Sequence, residues 1–188
     1  YIQNIITSTE ERSERERNTA KACDILYSKD STSRISAVKT LASIADSWLE
    51  DSPNCKKDEN KCQDIIDILC SYIRSPFPLA EEIEKYEALE ELEKLQKTES
   101  EKLSKGESSR LQALLKRFED SGEYEKPKDI TADYAKFHEE QDVRRTIFVE
   151  ISRRSSTFTK NDKGGIIKTV PGIWSDFYFD FNRAPIFY

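Results

Sequence analysis

The chain has 188 residues, 36% hydrophobic and 35% charged, with five Gly and six Pro, a balance that describes a helix-rich polypeptide with much solvated surface and a thin core. Its 36 acidic and 30 basic residues leave a net charge of −6, well mixed along the chain, so no long-range positive field gathers nucleic acid or an anionic membrane. No run approaches the roughly 20 apolar residues of a membrane-spanning helix, and no charged start leads into an apolar leader. The chain opens on Tyr1 rather than Met and stops on the apolar Ala184-Pro185-Ile186-Phe187-Tyr188, and so reads as a fragment of a larger protein.

In chain order, the spacing predicts a first helix from Thr9, its N-cap, to Tyr27, with Ala22, Cys23, Ile25 and Leu26 on the inner side. After the polar turn Ser28-Lys29-Asp30-Ser31, a second helix carries Ile35, Val38, Leu41, Ala42, Ala45, Trp48 and Leu49 as an unbroken 3.6-residue stripe and ends before Asp51-Ser52-Pro53. So short a turn requires the two to pack antiparallel. A third helix, Asn60 to Arg74, places Ile65, Ile66, Leu69, Cys70 and Ile73 inside and stops at Ser75-Pro76-Phe77-Pro78.

At Leu79 the composition turns to Glu, Lys and Leu, with one narrow seam through Leu79, Ile83, Tyr86, Leu89, Leu92, Leu95 and Leu103. Ser104-Lys105-Gly106 is expected to break it before a second stripe of Leu111, Leu114, Leu115 and Phe118, giving an inserted helical hairpin over residues 77–128. A further helix follows from Ile130 to Ser155, with Tyr134, Phe137, Val143, Ile147, Phe148 and Ile151 apolar at helical spacing. Residues 157–169, with Asn161-Asp162 and Gly164-Gly165, read as a loop, and the aromatic stretch beyond Pro171 has strand composition. Ser33-Arg34 before Ala37, Val38, Leu41 and Ile44 echoes Val143-Arg144 before Ile147, Phe148 and Ile151, an Arg leading two helical turns of core positions, which suggests stacked helical pairs.

Nothing in the pattern supplies catalysis, a cofactor or a metal. His138 is the single histidine and reads as a surface or boundary residue. Cys55, Cys62 and Cys70 lack the close pairs that chelate zinc. Cys23, Cys62 and Cys70 read as small core residues of a reducing cytoplasm, and the spacing leaves open a Cys55–Cys62 disulfide; Cys62 and Cys70 lie about 12 Å apart along one helix and cannot bridge. Gly164-Gly165 matches no phosphate-cradling loop. Arg12, Arg15 and Arg17, and Arg144, Arg145, Arg153 and Arg154, are interleaved with Glu and read as ion-paired helix faces rather than phosphate sites.

Phe179-Asp180-Phe181-Asn182-Arg183 and Ala184-Pro185-Ile186-Phe187-Tyr188 fit two in-register copies of a five-residue pattern with Phe181 and Ile186 central. They resemble the opening of a pentapeptide-repeat β-helix. The layout from Arg34 to Ala45, the run Ile65 to Pro76 and Val143-Arg144-x-Thr146-Ile147 are similar to the helical region before the repeats in certain actinobacterial pentapeptide-repeat proteins, over residues 12–76 and 130–188. Phe179 and Pro185 depart from the usual small residue and Asp or Asn.

The resulting expectation is an all-α fold of HEAT-like stacked helical pairs, with an inserted hairpin and a short C-terminal β segment that starts the repeats. The parts are residues 1–76, 77–128, 129–172 and 173–188. Its function would be non-enzymatic, a protein-interaction or scaffolding module; the alternative is a regulatory or enzyme-like domain holding a small molecule between helices. A protein partner or self-association through Trp174, Phe179, Phe181, Ile186 and Phe187 is expected, with no cofactor, no nucleic acid and no identified small molecule. The resemblance implies a cytoplasmic domain, held at the inner face of a membrane where spans precede this region.

Overall fold

The computed structural model describes residues 2–50, 56–119 and 127–185, and two compact units divide the chain: residues 1–76 with 139–188, and residues 77–138. In the first unit, α1 (Ile2–Leu26) packs on α2 (Ser31–Glu50), and α2 on α3 (Lys56–Arg74). No Gly or Pro lies between Ile2 and Thr9, so nothing stops α1 from beginning before the expected cap. Asp58 and Glu59 in the first turn of α3 favour the positive end of its dipole, which moves its start ahead of Asn60. None of the described helices is long and apolar enough to cross a membrane.

The apolar stripes meet as their spacing requires. Val38, Leu41, Ala42, Ala45 and Trp48 of α2 close on Ile65, Ile66, Leu69 and Ile73 of α3, and Val143, Ile147 and Ile151 of α6 (Ile130–Ser155) join the same core. Trp48 and Trp174 are both fully enclosed. At about 200 Å² and ~25 cal/mol per Å², each contributes ~5 kcal/mol before conformational entropy is subtracted. Three stripe positions depart from expectation: Ile25, Leu115 and Phe148 stay nearly half exposed, because each sits at the edge of its apolar arc.

The second unit holds α4 (Pro78–Lys97), α5 (Lys105–Phe118) and the first turns of α6. Ala88, Leu92, Leu95 and Leu114 form its small core, with Leu103, Leu111 and Phe118 against it. The break falls earlier than Ser104-Lys105-Gly106. Thr98 takes extended backbone, a 3-10 turn covers Ser100–Lys102, and Gly106 lies inside α5. A reciprocal cap decides this: Ser104 Oγ accepts from the Glu107 amide while Glu107 Oε2 accepts from the Ser104 amide. Bidentate pairs Arg110–Glu91 and Arg117–Glu84 tie α5 to α4 on the exposed side, and Tyr134 donates to Glu87 at 2.9 Å.

The largest correction concerns residues 156–171. In place of a loop, β1 (Ser156–Lys160) and β2 (Ile166–Pro171) form an antiparallel hairpin, with Thr157 opposite Val170 and Phe158 opposite Thr169. Asn161 builds the turn. Its Oδ1 accepts from the amides of Lys163 and Gly165, and Gly164 takes φ +79°, where a side chain would be strained. Conversely, no strand occurs among the described residues 172–185, where a β segment was expected. That backbone is satisfied by side chains of α3 instead: Gln63 exchanges two hydrogen bonds with the main chain of Tyr178, and Arg74 donates to the Asp180 carbonyl at 2.7 Å. Phe177, Phe179, Phe181 and Ala184 thereby lie on the helical core.

Gly172 turns the chain from the hairpin into this tail. Its amide donates to the Ser155 carbonyl, and the Trp174 amide to that of Arg154, each at 2.9 Å, so the tail cups the C-terminal end of α6. A Cβ on Gly172 would fall 2.0 Å from the Arg154 carbonyl oxygen. Gly172→Ala is therefore expected to lower stability by about 2 kcal/mol or more, read as an earlier urea midpoint. An unchanged midpoint would contradict the close approach.

Candidate functional site

The residues singled out in the sequence for chemistry are dispersed. His138 is exposed beside Tyr134 and Phe137, with ring centroids 6.3 and 5.6 Å away. Cys23, Cys62 and Cys70 are free thiols, and Cys55 lies outside the described residues, as do Ile186 and Phe187. Burial pushes the Cys62 thiol up to about 12, which leaves it protonated and unreactive at neutral pH. No group of three or more His, Cys, Asp or Glu side chains is gathered for a metal among the described residues. Of the expected contact aromatics, Trp174 is fully enclosed within the chain, while Phe179 and Phe181 are half-buried and stacked at 6.4 Å.

A buried polar constellation that sequence reasoning did not find lies in the first unit. Glu140 is 6% and Arg144 5% exposed, one helical turn apart on α6, with Arg144 Nε donating to Glu140 Oε1 at 2.6 Å. The guanidinium also donates to the carbonyls of Ile73, at 2.6 Å, and Ser75, at 2.9 Å, which are left open at the C-terminal end of α3. Tyr72 donates its hydroxyl to Glu140 Oε2 at 2.9 Å, and Arg34 approaches the same oxygen at 3.7 Å. The two arginines that head matching apolar patterns thus converge on one carboxylate. Arg34 lies in the first turn of α2, Arg144 well inside α6. Burial, then the neighbouring Glu140 charge, raises the Tyr72 phenol and keeps it a donor.

A second cluster ties the end of α6. Arg154 Nε contacts both oxygens of Asp46, at 2.9 and 2.8 Å, its Nη1 donates to Glu150, and its guanidinium lies 5.1 Å from the centre of the Trp174 ring. Burial raises the Asp46 carboxyl, against the lowering effect of Arg154. Both clusters are largely buried ion pairs in which each carboxylate faces an arginine, while Arg34 Nε and Trp174 Nε1 at their margins have no hydrogen-bond partner. The ion pairs hold the fold.

The accessible features are on the surface. One is a groove of about 810 Å³ along the outer face of α6, with Phe148, Val149, Ile73, Ala184 and Pro185 as its apolar part. The other is the hairpin, on which Phe158, Ile166, Ile167 and Val170 are 40 to 65% exposed. Seven basic and two acidic residues lie between 144 and 171, in a chain whose net charge is −6, so this region is a local reversal of sign. Thr157-Phe158-Thr159 and Ile166-Ile167 around Asn161-Asp162 and Gly164-Gly165 carried the signal for the hairpin. No protein family, no curated protein and no solved structure matches this chain.

The buried constellation makes a direct prediction. Tyr72→Phe leaves Glu140 Oε2 short of its donor inside the core, and should cost about 1–3 kcal/mol in urea unfolding. A variant as stable as the parent would mean that Glu140 does not rely on the phenol.

Proposed function

We propose that this chain is a non-enzymatic protein-interaction module whose contact element is the β1–β2 hairpin. The observation that carries the reading is its exposure: a two-stranded hairpin gains little stability alone, yet this one turns Phe158, Ile166, Ile167 and Val170 to solvent. Such a ribbon offers an apolar surface and two open edges for main-chain hydrogen bonding. Lys160, Lys163 and Lys168 place like charges on the ribbon, with the Lys160 ammonium 5.9 Å from the centre of the Phe158 ring. Two copies pairing edge to edge would bring those charges together, whereas an extended acidic segment of a partner protein would neutralise them.

The same reading keeps the chain as a HEAT-like helical region of a pentapeptide-repeat protein, in which the helical layer caps the first turn of the repeats. In its support, Phe179 and Phe181 lie against the helical core rather than projecting from it. A cytoplasmic setting is supported by the three free thiols. The alternative, a small molecule held between helices, has the groove beside α6 in its favour, but Phe148 and Val149 on its wall stay nearly half exposed and would not enclose one.

The test uses a labelled heptapeptide of alternating Val and Glu, titrated against the chain with amide hydrogen exchange as the readout. Protection should rise at amides within 156–171, and the double variant Phe158→Ser, Ile166→Ser should lose the binding while its thermal midpoint stays within about 2 °C, since these side chains are exposed. Peptide binding that survives the double variant, or no binding by the parent, would remove the hairpin as the contact element.

A further inference from the structure

The groove along α6 belongs to a different part of the surface from the hairpin strands, and its chemistry is specific. Gln141, Arg145, Phe148, Val149, Ser152 and Arg153 recur on one face of the helix at three- and four-residue steps. From Gln141 to Arg153 that face runs about 18 Å, the length of some three helical turns. Ile73, Ala184 and Pro185 supply the facing wall, brought there by the end of α3 and by the tail that folds back over it. Phe148 is steadied from behind by Phe181, with ring centroids 5.2 Å apart, so the apolar wall has a fixed shape.

The rim is cationic. Arg145 is exposed and has no carboxylate partner among the described residues, and Arg153, 71% exposed, reaches Glu150 only at 3.6 Å. Arg144 also touches the lining, but Glu140 matches its charge and its hydrogen bonds are spent inside the fold, so the rim charge is that of Arg145 and Arg153. Asp142 is the one acidic residue on the lining. An apolar trough of this length, open to solvent and edged by two available guanidinium groups, matches an amphipathic helix that presents apolar side chains at i, i+3, i+4 and i+7 and carboxylates on its flanks. A compact ligand would be enclosed over most of its surface, which this trough does not do.

We infer that the α6 groove is a second docking site, one that takes an acidic amphipathic helix of a protein partner. Apolar anchors occupy the trough over Phe148, Val149 and Pro185, and flanking Glu or Asp side chains reach Arg145 and Arg153.

The probe is a fluorescein-labelled helical peptide of about 15 residues with Leu on one face and Glu on the flanks, followed by anisotropy against the whole chain. Two controls carry Lys in place of Glu, or Gln in place of Leu. The acidic peptide should bind with saturation and weaken as salt rises. Arg145→Glu should weaken it several-fold, and Arg145→Glu with Arg153→Glu about tenfold, while the Lys peptide gains affinity for the double variant. The single variant guards against a folding defect, because Arg145 is exposed and unpaired, and circular dichroism confirms helical content for both. The hairpin double variant should bind this peptide like the parent, which separates failure of the groove from failure of the hairpin. Equal binding of the acidic and Lys peptides, an unchanged affinity in the charge-reversed variants, or no binding by the parent would overturn the proposal.

Discussion

One guanidinium organises the first unit. Arg144 is almost fully buried, and a cation there survives only if its charge is matched and its donors are used. Glu140 supplies the charge one turn earlier on the same helix, and the carbonyls of Ile73 and Ser75 accept the remaining donors. Because those carbonyls close α3, the pair docks α6 on the end of α3 at one register. Tyr72 from α3 and Arg34 from α2 meet the other side of Glu140, so three helices share a single buried ion pair. Apolar stripes alone permit sliding along a helix axis; hydrogen bonds of fixed direction do not.

The second constraint is at the far end of α6, where Gly172 permits the chain to pass within hydrogen-bond distance of the helix terminus. Trp174 then enters the core and Arg154 lies over its ring while pairing with Asp46 of α2. The tail beyond is fastened by Gln63 and Arg74 rather than by a strand partner. As a result the tail completes the core and simultaneously forms one wall of the α6 groove through Ala184 and Pro185. The surface proposed for partner binding depends on the same contacts that stabilise the unit.

The stripes of α2, α3 and α6 were legible because helical periodicity is written in the apolar residues themselves. The hairpin was legible too, in β-branched runs on either side of an Asn-Asp and Gly-Gly turn, but reading the turn residues as a loop hid the strands. The tail misled in the opposite direction. Phe177, Phe179 and Phe181 have strand composition, yet their backbone partners are side chains more than a hundred residues away, which no local pattern announces. Gly106 looked like a breaker until the Ser104–Glu107 cap placed it inside α5. The Arg144–Glu140 pair was invisible for a statistical reason: among 36 acidic and 30 basic residues, i, i+4 pairs are commonplace, and only tertiary burial distinguishes this one.

Arg144 and Glu140 therefore act as one unit in the core. A double-mutant cycle in urea unfolding with Arg144→Met, Glu140→Leu and the combined variant measures this most directly. Arg144→Met leaves a buried carboxylate and two uncapped carbonyls, and should cost about 3–5 kcal/mol. Removing both charges should cost clearly less than the sum of the two single changes, with a coupling of about 2 kcal/mol or more. Additive losses, or an Arg144→Met chain as stable as the parent, would contradict the account.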